Sequence, residues 1–174
     1  MQAPYAWNLR RLKPGFTLDI GCGLGRNLLH LRGEGVGIDH NSKSVGVARS
    51  RGLRAFTPEE FHTSIFNKPE SFDSILMAHV AEHMYFGEAV TLLKKHLYLL
   101  KPSGKLILIT PQEAGFKSDS THTEFMDFAK LSNIAHEIGF TVVKKYSFPL
   151  PHIFGRFFYF NEFISVSHKV KTKE

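Results

Sequence analysis

Two short stretches carry side chains suited to chemistry, DIGCGLGRN at 19–27 and HVAEH at 79–83. The second has two histidines four residues apart with a glutamate between them. On a helix, that spacing lets both imidazoles hold zinc while the glutamate acts as base. Such a site also needs a third ligand from elsewhere and a regular helix through the motif. HVAEH instead begins where an apolar run ends, and MYFG (84–87) interrupts a long helix, so no metal is expected here. Glu82 and His83 are expected to brace a turn. In the first stretch, Gly21 and Gly23 permit a tight turn and let a ligand approach the backbone. The dinucleotide fingerprint G-x-G-x-x-G is not met: the third glycine falls on Arg26 counted from Gly21, and on Leu28 counted from Gly23. A pyrophosphate therefore loses its specific support. Asp39 lies 20 residues beyond Asp19 (39 − 19). A carboxylate at that place can accept both hydroxyls of a ribose. The competing role is to cap the helix that follows.

These residues need elements to position them. FTLDI (16–20) reads as a strand, followed by the glycine turn and a short helix NLLHL (27–31). VGID (36–39) is the next strand, and Asn41 or Ser42 can cap the helix after it. LRAF (53–56) is a third strand, and TPEE (57–60) has the pattern of a capping box with proline at the first helical position. FDSILMA (72–78) is apolar after Asp73, as befits a strand buried on both faces. The spacing of Ala89, Val90, Leu93, Leu97 and Leu100 predicts a helix over 86–100, stopped by KPSG (101–104). KLILIT (105–110) is a fifth strand, and Asp127 caps a helix that ends at Gly139. FTVVKKYS (140–147) and FFYFNEFISVSHK (157–169) are the last two strands; the link between them is too short for a crossover helix, so they pair antiparallel. The fold class is α/β: a three-layer αβα sandwich around a seven-stranded, Rossmann-like, mostly parallel sheet with an antiparallel last strand.

LDIGCGLGRN, GIDHN, FDSILMAHVAEHM, LKPSGKLILITP and HEIGF resemble successive segments of the class I S-adenosylmethionine-dependent methyltransferases. The resemblance covers roughly 16–145. It implies the strand order 3-2-1-4-5-7-6 with strand 7 antiparallel, and S-adenosylmethionine as cofactor. It implies that Asp19 and the turn Gly21–Cys22–Gly23 face the methionine part, that Asp39 holds the ribose, and that His40 lies near the adenine. Ala78 and His79 would close the pocket. Many members carry an acid after strand three; here Thr57 stands near that place, as substitute or as helix cap.

Methyl transfer from a sulfonium is an in-line displacement that depends mostly on positioning. If the acceptor must lose a proton, a histidine suits the task. His79 and His122 are the two candidates for catalysis, with Glu113 behind them. The Asn/Asp-Pro-Pro-aromatic stretch that family members acting on base amines carry after strand four is replaced by MAHV, which argues against a nucleic-acid acceptor. A small molecule, or a lipid- or sugar-linked intermediate, is the expected acceptor. The aromatic segment HIFGRFFYFNEF (152–163) is expected to pack an edge strand, the alternative being that it lines an apolar acceptor pocket. YAWNLRR (5–11) reads as a short helix over the cofactor, the alternative being that its Trp7 and Tyr5 pack on the sheet edge. Two other readings stay open: a cofactor-binding scaffold without turnover, and a nicotinamide oxidoreductase.

The 174 residues suit a single domain over 1–174, with a core at 16–145 and a strand pair at 140–169. The net charge of +6 comes from scattered Lys and Arg, clustered only at RRLK (10–13) and HKVKTK (168–173). No apolar run nears the ~18–20 residues of a membrane span. Cys22 is the only cysteine, so no intrachain disulfide can form and a reducing, cytoplasmic setting is expected. Oligomeric state is not legible.

Overall fold

The computed structural model describes residues 2–169. Helix α1 (Ala3–Arg11) precedes strand β1 (Thr17–Ile20), α2 (Arg26–His30), β2 (Gly35–Ile38), α3 (Ser42–Ser50), β3 (Ala55–Phe56) and α4 (Pro58–His62). Then come β4 (Phe72–Ala78), α5 (Phe86–His96), β5 (Leu100–Pro111), α6 (Glu113–Lys117), α7 (Phe128–Glu137), β6 (Phe140–Phe148) and β7 (Glu162–Lys169). The sheet runs β3-β2-β1-β4-β5-β7-β6. β1, β2, β3, β4 and β5 pair in parallel, and β7 runs antiparallel to both β5 and β6.

β4 shows how the apolar pattern becomes three layers. Alternate side chains of a strand point to opposite faces. Ile75 and Met77 enter one core with α5 (Ala89, Val90, Leu93) and α7 (Leu131, Ile134, Ala135). Leu76 and Ala78 enter the other, with Ile107, Ile109 and Leu9 of α1. Leu28 of α2 joins Val45 and Ala48 of α3 in a third cluster beneath β2. Thr57 accepts a hydrogen bond from the Glu60 amide at 3.3 Å while the Thr57 amide donates to Glu60 Oε2 at 2.8 Å, the reciprocal capping box read from TPEE.

Three boundaries differ from expectation. Helix α5 stops at His96, because a tighter turn over Leu97–Leu99 delivers Leu100 into the sheet beside Phe72. KPSG therefore lies within β5 rather than ahead of it. The third strand shrinks to two residues at the sheet's edge. The last strand begins at Glu162, not at 157, and a short 3-10 helix (His152–Arg156) fills the connection. The aromatic segment before β7 is therefore not core: Phe157 is 79% exposed, Ile153 66%, and Phe154, Tyr159 and Phe160 are also exposed. Of the HKVKTK cluster, only His168 and Lys169 fall within the described residues.

That exposed loop is held by one buried amide. Asn161 Oδ1 accepts from the Leu150 amide at 2.9 Å, and its Nδ2 donates to Gln112 Oε1 at 2.9 Å and to the Leu150 carbonyl at 3.1 Å. Gly155 lies so close to Gln112 that a Cβ there would overlap its side chain. Replacing Asn161 with alanine leaves the buried Gln112 Oε1 and the part-buried Leu150 backbone without this partner, a cost of about 1–3 kcal/mol. Asn161→Ala should lower the melting temperature and expose 150–160 to limited proteolysis before any other segment; unchanged cleavage would show that the aromatics hold the loop without it.

Candidate active site

The carboxyl ends of β1, β2 and β4 lie side by side in the parallel sheet, and the backbone there is tied back to itself. The amides of Gly21 and Cys22 both donate to the Ile38 carbonyl, at 2.8 and 3.1 Å. Gly23 donates to Asp39 Oδ2 at 2.8 Å, and Asn41 donates to Asp39 Oδ1 at 2.8 Å. Gly21 (φ 74°) and Gly23 (φ 51°) occupy the left-handed region. A Cβ on Gly21 would strike Val80, whereas nothing stands within 4 Å of one on Gly23. Gly21 is thus required by packing, and Gly23 borders open space.

Asp39 therefore anchors the glycine turn from the end of β2. It does not cap α3: Asn41 does, accepting from the amides of Lys43 and Ser44. His40 projects into solvent beside Asp39. The Cys22 side chain packs inward against Leu28 and Gly37, and burial pushes its thiol pKa up, so the residue offers a ligand backbone only. Thr57 is committed to its capping box and Ala78 lines a cleft.

Asp19 is fully buried at the end of β1. Its Oδ1 accepts a 3.5 Å hydrogen bond from Asn27, while Oδ2 has no partner. Arg26, next in sequence to Asn27, lines that cleft with Asn27, Ala78 and His79 and is near enough to Asp19 to act on its charge. Helix α1 roofs it with Tyr5, Asn8 and Leu9, while Trp7 points outward and stacks with Arg11. Tyr5 Oη donates to the Phe160 carbonyl at 2.8 Å, which fastens the roof to the aromatic loop.

His79 ends β4 with φ 58°, a strained conformation for a residue with a side chain. The bend sets the ring between β7 and the 3-10 turn over Ala81–His83. Its Nε2 donates to Glu162 Oε1 at 2.7 Å, and its Nδ1 lies 3.4 Å from Glu82 Oε1. Burial opposes its positive charge, but hydrogen bonds to Glu162 and Glu82 outweigh that and move its pKa up to about 9. With a carboxylate at each nitrogen, the imidazole has no free lone pair to receive a proton. Glu162 faces the cleft beside Tyr5 and Arg26. His122 does not line this cleft; it lies against His83, with ring centroids 4.7 Å apart. Glu113 instead meets His152, at 3.1 Å. The sequence reading missed Glu162, Arg26, Asn27 and Tyr5. A clue to Glu162 was present: one acid in an otherwise aromatic and apolar run.

Burial, opposed by the Asn27 hydrogen bond and Arg26, moves the Asp19 pKa up to about 7. The unfolded group ionises near about 4. The folded chain thus holds the Asp19 proton more tightly, so the contribution to stability is present below about pH 4 and lost as pH rises through about 7. Relative to Asp19→Asn, which cannot ionise, wild-type protein should lose melting temperature between those limits. A pH-independent difference would overturn the shift.

Comparison with known proteins agrees with this geometry. A family profile described as a methyltransferase domain matches residues 18–108, just over half of the chain. No curated protein sequence matches. Among solved structures, a SAM-dependent methyltransferase from Archaeoglobus fulgidus superposes with a TM-score of 0.73 at 19% identity, covering 97% of this chain and 95% of that one. A Haloferax volcanii complex of the Trm112 methyltransferase activator with a methyltransferase gives 0.72 at 18% identity, covering 96% and 89%. The magnesium protoporphyrin IX methyltransferase of Synechocystis, with bound SAH, gives 0.66 at 16% identity, covering 97% and 85%. The fold is shared along nearly the whole chain. The matched residues run from β1 to β5 and contain the glycine turn, Asp39 and His79, and the chain belongs to the methyltransferase-domain family, among the class I S-adenosylmethionine-dependent enzymes its sequence resembles.

Proposed function

We propose that the protein transfers a methyl group from S-adenosylmethionine to a small-molecule acceptor with an apolar or lipid-linked portion, and that one domain over 1–174 does so. The observation that carries the cofactor is the unpartnered Asp19 oxygen beside Arg26. A buried carboxylate lacking a donor, next to a cation in one cleft, suits a zwitterionic amino acid: ammonium on Asp19 and carboxylate on Arg26. A pyrophosphate would meet repulsion from Asp19. Asp39 takes the ribose, since each of its oxygens accepts only one hydrogen bond from the chain and retains a free lone pair. Gly21, Cys22 and Gly23 shape the backbone wall, Ala78 closes the floor, and His40, free in solvent, can swing over the adenine. Thr57 serves its helix cap first and contributes at most its surface.

S-adenosylmethionine, when bound, supplies an electrophilic methyl on a cationic sulfur. The chain's own part is to hold the acceptor in line and exclude water. Tyr5 and the roof helix close the cleft from above, and Tyr159 and Phe160 border it on the acceptor side. We assign proton handling to Glu162, with His79 as the positioning residue that fixes its carboxylate from behind. The exposed Ile153, Phe154 and Phe157 continue from that border and suit an apolar tail on the acceptor. His122 takes no part in this scheme, and no nucleic acid is invoked. Among the described residues no helix is long and apolar enough to cross a membrane.

Calorimetric titration should give micromolar binding of S-adenosylhomocysteine and none of NAD. Asp39→Ala should weaken that binding at least about tenfold, the scale of a lost hydrogen bond to a charged group. Equal affinity in the variant would remove the ribose assignment. Glu162→Gln should bind S-adenosylhomocysteine like wild type. Once screening has found an acceptor, it should lower kcat by about 100-fold or more if the proton is transferred at Glu162. A variant with full turnover would leave positioning as the only catalytic contribution on that side.

A further inference from the structure

HVAEH does not form the helical zinc site its spacing suggests, because His79 is turned away to Glu162. Its second half meets a different partner. Glu82, His83 and His122 each offer a ligand atom, and all three atoms lie within 4.8 Å of one another. We propose that these three residues bind one divalent transition-metal ion, with zinc the best match to two imidazoles and a carboxylate.

Glu82 is the first argument. Its side chain is fully buried, yet its only counterpart is the distant His79 imidazole, with Nδ1 3.4 Å from Oε1, and Oε2 receives no hydrogen bond. Buried carboxylates are ordinarily paired, hydrogen-bonded or bound to metal. The histidines supply the second argument. His122 Nδ1 donates to the Phe116 carbonyl at 2.7 Å, and His83 Nδ1 donates to the Thr121 carbonyl at 3.3 Å. The tautomer that donates from Nδ1 to these carbonyls leaves the Nε2 lone pair of each ring for a metal. A backbone carbonyl on the far nitrogen is the usual support of a metal-bound imidazole. Phe116 stacks on His122 at 5.2 Å and fixes its plane.

The loop that brings His122 is also docked in advance. The amides of Thr123 and Glu124 both donate to the Glu82 carbonyl, and Thr123 Oγ1 donates to the His83 carbonyl at 3.1 Å. Tetrahedral zinc, with bonds of about 2.0–2.2 Å, wants its donors roughly 3.4 Å apart. The cluster must therefore close by about 1.5 Å at most. His83 is exposed, and its long 3.3 Å bond to the Thr121 carbonyl can adjust as the cluster closes. Its exposure also leaves room for water at a fourth position. Bound metal would fasten the turn after β4 to the loop before α7.

The test uses untagged, full-length protein stripped with chelator and titrated with zinc chloride, with magnesium chloride alongside. One zinc per chain at micromolar affinity or tighter, with no magnesium binding, is expected. Cobalt chloride should give the visible absorption of a four-coordinate ion. His83→Ala and His122→Ala should each weaken zinc binding at least about tenfold. His136→Ala, on α7 outside the cluster, should not. S-adenosylhomocysteine binding by the His83 variant should persist, which separates failure here from failure of the methyltransferase reading. Absence of stoichiometric zinc binding would overturn the proposal, as would zinc affinity equal to wild type in both cluster variants.

Discussion

Burial of β4 on both faces sets the place of everything chemical in this protein. Its five residues from Ser74 to Ala78 are all buried, and the strand is paired on each side by β1 and β5. A strand so enclosed cannot shift register without carrying its apolar side chains to the wrong layer. Where it ends, the chain must leave the sheet at one defined point. His79 leaves it through a left-handed bend that neither glycine nor asparagine relieves. The bend carries one histidine toward β7 and sends the next two turns of chain toward the loop before α7. The Glu162 contact and the His83–His122 contact both follow from it.

The parallel part of the fold was legible because its signals are local. Glycine turn, capping box, acid at a strand end and continuous apolar strands each lie within a few residues. The antiparallel end was legible from a short connection alone. The site was less so, because its contacts are long in sequence. His79 and Glu162 are 83 residues apart, and no periodicity links them. The aromatic stretch misled for a different reason. A run of Phe and Tyr has the composition of a core strand, and without alternation nothing shows whether a second layer covers it. Here Asn161 and Gln112 hold the loop at the sheet's rim by polar contacts, so its rings stay outside.

Two buried carboxylates, Asp19 and Glu82, depart from the rule that polar groups inside a protein are satisfied. Both stand at carboxyl ends of central strands or just beyond, where ligands collect in open α/β sheets. A group that costs stability in the empty protein becomes a source of affinity when a cation reaches it. The free energy of binding then adds to that of folding, since a ligand held only by the native state shifts the folding equilibrium by mass action. Hydrogen-bonded neighbours such as Asn27 reduce the cost at Asp19 but leave one oxygen open.

The same economy shows in the two kinds of wall that border the cleft. One wall is made of backbone, clamped by Ile38 and Asp39, and it gains rigidity from hydrogen bonds that are internal to the sheet's edge. The other is made of side chains from α1 and the loop before β7, joined by Tyr5 and Phe160. Backbone walls tolerate little change of ligand, whereas a loop of exposed aromatics fastened at its base can be altered residue by residue. Under the proposed function, the loop and α1 would set acceptor specificity, while the turn after β1, the acid after β2 and the bend after β4 would hold the cofactor and its methyl in place.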